Sequence, residues 1–166
     1  MKKLLALLAA FVLTAGVVFA ASPCEGYWIN KDDETKTVWQ CWKVTENADG
    51  TLSIMMTLNP AEKPDATAYG AKGKSYADFQ NGKDLGDVVM IGTTWFWGFQ
   101  KKAEGKYVKG ILVNPSDGGR YTMNMELKDG ILVLTPIIAG IPASFAAQKW
   151  AKCSEAVATG KEAYYK

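Results

Sequence analysis

The stretch from Lys109 to Pro136, KGILVNPSDGGRYTMNMELKDGILVLTP, constrains the fold more than any other part of the chain. It reads as three antiparallel strands joined by two tight turns. Residues 110–113 are apolar. The Asn-Pro-Ser-Asp-Gly-Gly that follows supplies a Pro to fix φ, an Asp that bonds its own backbone, and Gly for positive φ. Tyr121, Met123, Met125 and Leu127 then alternate with Thr122, Asn124 and Glu126, which makes one face apolar and the other wet. Lys128-Asp129-Gly130 turns the chain again, and residues 131–135 return. The result is a β-meander.

The same period of two recurs upstream. Residues 35–45 place Val38, Gln40, Trp42 and Val44 on one face and Trp39, Cys41 and Lys43 on the other. Asn-Ala-Asp-Gly at 47–50 is a hairpin turn, and residues 51–58 alternate as cleanly, with Leu52, Ile54 and Met56 together. Residues 87–92 and 93–100 read as two further strands. In the second, Trp95, Trp97 and Phe99 share a face opposite Phe96 and Gly98. A last strand spans 143–152 with Phe145 and Trp150, while Gly26-Tyr27-Trp28-Ile29 reads as a short apolar lead-in. Between the second and third strands, residues 59–86 lose all periodicity. A loop this long inside a compact domain is a lid, a binding loop or an insertion. About eight strands with hairpin-length connections and no βαβ alternation predict an all-β fold: a single antiparallel up-and-down β-barrel. A membrane-spanning barrel needs a continuously apolar outer face, and Thr, Ser, Asn, Glu and Lys on the second faces argue against it.

The first twenty residues, MKKLLALLAAFVLTAGVVFA, combine a basic start, an unbroken apolar run from Leu4 to Phe19 and a small-residue cleavage pattern at Ala20. They predict a signal peptide over 1–20, a barrel domain over 21–153 and a tail over 154–166, in a periplasmic or secreted protein. Pro23, Ser22 and Ala21 before Cys24 do not make a lipobox. Cleavage removes Lys2 and Lys3 and no acid, which brings the 19 basic residues level with the 17 acidic ones. No basic surplus remains to attract nucleic acid or an anionic membrane surface. An oxidising compartment favours a disulfide among Cys24, Cys41 and Cys153. First and last strands are neighbours in a closed barrel, so Cys24–Cys153 is the expected pair, with Cys41 buried as a small hydrophobe. Cys41–Cys153 is the rival, because Cys41 is on the first long strand.

The chain has no histidine. That removes His-assisted Ser or Cys nucleophiles and imidazole zinc sites. The carboxylates fall mostly in turns, and nothing places two of them together as acid/base chemistry requires. No enzyme, metal or cofactor is expected. Asp32-Asp33-Glu34 reads as a solvated turn rather than a calcium loop. The predicted inward faces instead carry Trp42, Trp95, Trp97, Phe99, Tyr121, Met123 and Met125, an apolar and adaptable lining. Gln40 stands among them as the one polar group on its strand face. These eight residues are the candidate binding site for a small apolar or amphipathic ligand, with residues 59–86 over the mouth, in a monomer or weak oligomer. Two alternatives stay open: the same side chains fill a dry core, or the protein is a protein–protein or envelope-structural module showing an aromatic patch such as Trp39 with Phe96.

Asn114-Pro115-Ser116-Asp117-Gly118-Gly119-Arg120-Tyr121 resembles the signature of the bacterial exported family known as domain of unknown function 2147, Asp-Pro-Glu-Asn-Gly-Lys-x-Tyr after a strand beginning Gly-x-Ile. Gly110, Ile111, Pro115, Gly118 and Tyr121 match it, as do Gly26-Tyr27-Trp28, Asp32, Asp49-Gly50, Gly140 and Trp150 elsewhere. Asn114 stands in place of the family's Asp, and Gly119 in place of its Lys. The resemblance covers residues 26–152 and implies a small exported protein with a lipocalin-like barrel and no established activity.

Overall fold

The computed structural model of the chain describes residues 21–32 and 34–164. The signal peptide expected over 1–20 lies outside the described residues. The strands are β1 (Gly26–Lys31), β2 (Val38–Glu46), β3 (Leu52–Leu58), β4 (Thr94–Ala103), β5 (Lys106–Val113), β6 (Arg120–Lys128), β7 (Ile131–Ile138), β8 (Ile141–Pro142) and β9 (Gln148–Cys153), followed by the one-turn helix α1 (Glu155–Ala158). All pairings are antiparallel. The order β6-β5-β4-β3-β2-β1-β9-β7 closes on itself because β7 also pairs with β6. Eight strands therefore make a closed barrel, and β8 is a two-residue flap on the edge of β7. Closure leaves no bare strand edge, which is the physical advantage of this architecture.

The expected strands hold with two exchanges. The apolar lead-in is β1, a full member of the barrel between β2 and β9. The expected strand over 87–92 is instead irregular: it overlaps a 3-10 turn at Leu85–Asp87 and makes one isolated bridge, Thr67 to Val89. A short continuous apolar run carries no period, so sequence pattern alone does not separate a buried strand from a buried loop. The last strand begins at Gln148 rather than 143, because residues 144–146 form a 3-10 turn.

A bulge decides which aromatics face inward. Leu52 of β3 lies opposite Phe99, and Ile54 lies opposite Phe96, so two steps on β3 match three on β4. The extra residue sits at Gly98, whose φ of 72° is open to glycine and strained for other residues. Phe96 and Phe99 consequently both point inward, while Trp95 and Trp97 point outward. β5 carries a matching irregularity between Tyr107 and Gly110, with Lys109 at φ 61°. Gly110 lies directly beneath Phe99, so a Cβ there would fall on the Phe99 ring.

The lower end is closed by the β2–β3, β4–β5 and β6–β7 hairpins and by residues 21–25, which tuck beneath them. The Trp28 indole N–H donates to the Cys24 carbonyl (2.8 Å), and the Tyr107 hydroxyl lies 2.7 Å from Ser22 Oγ. The connections at the other end form the mouth. The longest of these, 59–93, is not a lid over that mouth. It straps across the outer wall of β4 and β5. Phe79 packs on Trp95 and Trp97 with ring centroids 5.3 and 5.4 Å away, and the Trp95 indole N–H donates to the Met90 carbonyl (2.9 Å). Arg120 holds Asp78 through a bidentate ion pair while covering the faces of Tyr76 and Trp97. The strap gives the outward aromatics their own cover, which is why Trp95 is fully buried on the outside of the barrel.

The Gly110–Phe99 contact yields a direct check. Gly110→Ala should lower unfolding stability by about 1–3 kcal/mol in urea denaturation, as overpacking does. Phe99→Leu in the same chain should recover part of the loss. An unaffected single variant contradicts the inward placement of Phe99.

Candidate functional site

The middle of the barrel is closed by an aromatic cluster. Trp42 of β2 and Trp150 of β9 stack in parallel, with centroids 5.2 Å apart and an interplanar angle of 3°. Phe96 of β4 meets both rings edge-on. Below it, Trp28, Val44, Leu52, Phe99, Tyr107, Met125 and Leu132 are fully or almost fully buried and fill the lower barrel. The dry-core expectation therefore holds for that half.

Above the cluster the packing opens. A small cavity of about 60 Å³ is lined by Gln40, Trp42, Phe96, Leu112, Asn114, Pro115 and Gln148. A wider one of about 230 Å³, open at the rim, adds Tyr121, Met123, Pro136, Ile138 and Ala146. The two share Leu112, Asn114 and Gln148, so they form one stepped site at the mouth. No Asp, Glu, Lys or Arg lines either part.

The polar groups here are fixed by their partners. Gln148 Oε1 accepts from the Trp150 indole N–H (3.0 Å) and from Asn30 Nδ2 (3.4 Å). An indole N–H only donates, so this orientation of the Gln148 amide is set and its NH₂ is left to face other partners. Asn114 Oδ1 accepts from the Ser116 backbone N–H (3.0 Å) and thus performs the turn-capping work an Asp would do there. Neither amide nitrogen donates to another described residue. Trp42 is only 2% exposed, and its indole N–H is buried with no hydrogen-bond partner. An orphaned buried donor of this kind costs about 1–3 kcal/mol.

Four of the eight expected binding residues come together at the mouth: Gln40, Trp42, Tyr121 and Met123. The other four do not. Trp95 and Trp97 lie on the outer wall beneath the 59–93 strap, because the Gly98 bulge reverses the strand's alternation. Phe99 and Met125 are inward but sealed in the lower core. The pairing of Trp39 with Phe96 as one surface patch also fails: Trp39 is 52% exposed, whereas Phe96 is 2% exposed and inside. Sequence reading did not place Leu112, Asn114, Pro115, Pro136, Ile138, Ala146 or Gln148 in the site. Gln148 carried a usable signal, since it stands two residues before inward Trp150 on the same strand face.

The expected Cys24–Cys153 disulfide is not formed, and all three cysteines are free thiols. β1 and β9 do pair, with Tyr27 opposite Cys153. Cys24 nevertheless belongs to the inner core, with its thiol 3.9 Å from the Gly105 carbonyl, whereas Cys153 packs with Cys41 and Ile29 in a second cluster outside the barrel, under α1. The rival pair, Cys41 and Cys153, shares that cluster without a bond.

The family is settled by the match of nearly the whole barrel. Residues 26–152 match the model of the family described as "Uncharacterized protein conserved in bacteria (DUF2147)". The chain belongs to this family. No curated protein matches it. Among solved structures it is similar to the one described as "Protein HP1028 from the human pathogen Helicobacter pylori belongs to the lipocalin family", with a TM-score of 0.60 at 14% identity, covering 87% of this chain and 93% of that one. At that identity the likeness establishes the lipocalin-like barrel and nothing finer. No helix among the described residues is long and apolar enough to cross a membrane, and no group of His, Cys, Asp or Glu among them suits a metal ion.

Burial pushes the Cys41 thiol up to about 12 and Cys153 to about 11. Well below pH 9 these thiols are protonated whether the chain is folded or not. Above it the unfolded chain releases protons that the fold retains, so stability falls as pH rises from 9 towards 12, by up to ~1.4 kcal/mol per pH unit for one such thiol. Urea midpoints under reducing conditions should therefore drop more steeply between pH 9 and 10.5 for the parent chain than for Cys41→Ala. Equal slopes contradict the burial of Cys41.

Proposed function

We propose that this family member is an exported, non-enzymatic carrier that holds one small apolar or amphipathic molecule at the barrel mouth in the bacterial cell envelope. The observation that carries the reading is the stepped site above the Trp42–Trp150 floor. Leu112, Met123, Pro136 and Ile138 supply apolar wall, while Gln40, Asn114 and Gln148 supply orienting polar groups. A concave, mostly apolar site with a few convergent polar groups is the usual form of a small-molecule site. Ile138 is half exposed at the rim, so an apolar tail longer than the cavity has a surface to run out along. Export rests on the basic and apolar pattern of residues 1–20.

The test is titration of the purified chain with N-phenyl-1-naphthylamine, a neutral apolar fluorophore. One saturable site is expected. Ala146→Trp, placed at an exposed position on the cavity wall, should abolish it while leaving the circular dichroism and thermal midpoint unchanged. No saturable binding to the folded protein, or binding indifferent to Ala146→Trp, overturns the proposal.

A further inference from the structure

Three donors at the mouth have no partner among the described residues; Gln40 and the Tyr121 hydroxyl, which line it as well, can donate or accept. Gln148 Oε1 is occupied by Trp150 and Asn30, which leaves the Gln148 NH₂. Asn114 Oδ1 is occupied by the Ser116 N–H, which leaves the Asn114 NH₂. Trp42 adds an indole N–H that is buried, unpartnered and incapable of accepting. All three residues line the smaller, inner cavity, and Asn114 and Gln148 also line the outer one.

Charge is absent from the same lining. No Lys or Arg is present to balance an anion, and no carboxylate is present to balance a cation. Moving an unpaired ion from water into such a site costs several kcal/mol, while a neutral oxygen with lone pairs gains the donors that now lack partners. The inner cavity, at about 60 Å³, has room for a polar terminus but not for a bulky headgroup.

We infer that the mouth selects molecules whose polar end is an uncharged hydrogen-bond acceptor, the carbonyl oxygen of a tertiary amide, ester or ketone, seated over the Trp42–Trp150 floor with the apolar remainder in the outer cavity. This specificity rests on the carrier reading above and deepens it. A fatty-acid carboxylate and a long-chain ammonium, which share the same tail, are rejected at the polar end. Neither finds a counter-charge in this lining, and the ammonium has no lone pair to offer the donors that lack partners.

The experiment uses four probes with comparable chains: N,N-dimethyloctanamide, 2-octanone, octanoate and octylammonium. Each is titrated calorimetrically into the purified chain at pH 7. The amide and the ketone should bind at least ten-fold tighter than either ion. Trp42→Phe, which keeps an aromatic floor but removes the N–H, should weaken the amide by roughly five- to ten-fold, the worth of about one hydrogen bond. Asn114→Asp keeps the acceptor for the Ser116 N–H but turns the free donor into a carboxylate, and should weaken the amide by a similar factor. Because that side chain is at the rim, this variant guards against a folding defect in Trp42→Phe. If all four probes bind alike, or octanoate binds tightest, the carbonyl specificity is overturned while the carrier reading stands. If no probe binds and N-phenyl-1-naphthylamine fails as well, the carrier reading falls with it.

Discussion

The parallel stack of Trp42 on Trp150, with Phe96 edge-on to both, is the contact on which the rest of the structure turns. Those three rings come from β2, β9 and β4, strands far apart in sequence, and their packing spans the barrel interior. Aromatic pairs of this geometry contribute about 0.5–1.5 kcal/mol each beyond the area they bury. Their larger effect is spatial. They divide the interior into a filled lower half and an open mouth, and so fix both the depth and the floor of any site. The cluster also determines the polarity of that floor: one indole N–H is satisfied by Gln148, and the other is left without a partner.

The partition between inside and outside depends on two irregularities in neighbouring strands. The Gly98 bulge turns Phe99 inward over Gly110 and sends Trp95 and Trp97 to the outer wall. Large outward aromatics on a small barrel leave apolar surface that water must cover or the chain must bury. The 59–93 connection buries it. Its Phe79, Tyr76 and Asp78 are tied to Trp95, Trp97, Gly118 and Arg120, so this long segment is accounted for as wall rather than gate.

Much of this was legible in the sequence. Alternation in β2, β3 and β6 assigned Gln40, Trp42, Leu52, Ile54, Met56, Tyr121 and Met123 to the inner face, where they lie, because a period of two survives any change of neighbour. The Asn-Pro-Ser-Asp-Gly-Gly turn and its family motif were readable for the same local reason. The errors arose where one residue breaks the period or a partner is remote. A single positive-φ glycine reversed the faces of Trp95 and Trp97. Residues 87–92 have a strand-like composition but are held by a distant wall. Cys24 and Cys153 flank paired strands, yet the chain turns inward before β1 and sends the two thiols to different clusters. The period of two places Gln148 on the face of Trp150, but its fixed amide orientation comes from hydrogen bonds to Trp150 and to remote Asn30, which spacing does not reveal.

The central claim is that the mouth, floored by Trp42, is where a ligand is held. The six tryptophans permit a direct reading. In a ¹⁵N–¹H spectrum each indole N–H gives a separate signal. Trp28, Trp95 and Trp150 are already bonded within the protein, while Trp42 is not. Addition of N,N-dimethyloctanamide should move the Trp42 signal downfield as its N–H acquires an acceptor, with Trp28 and Trp95 stationary. A stationary Trp42 signal, with Trp95 or Trp97 moving instead, would place the ligand under the outer strap and contradict the account.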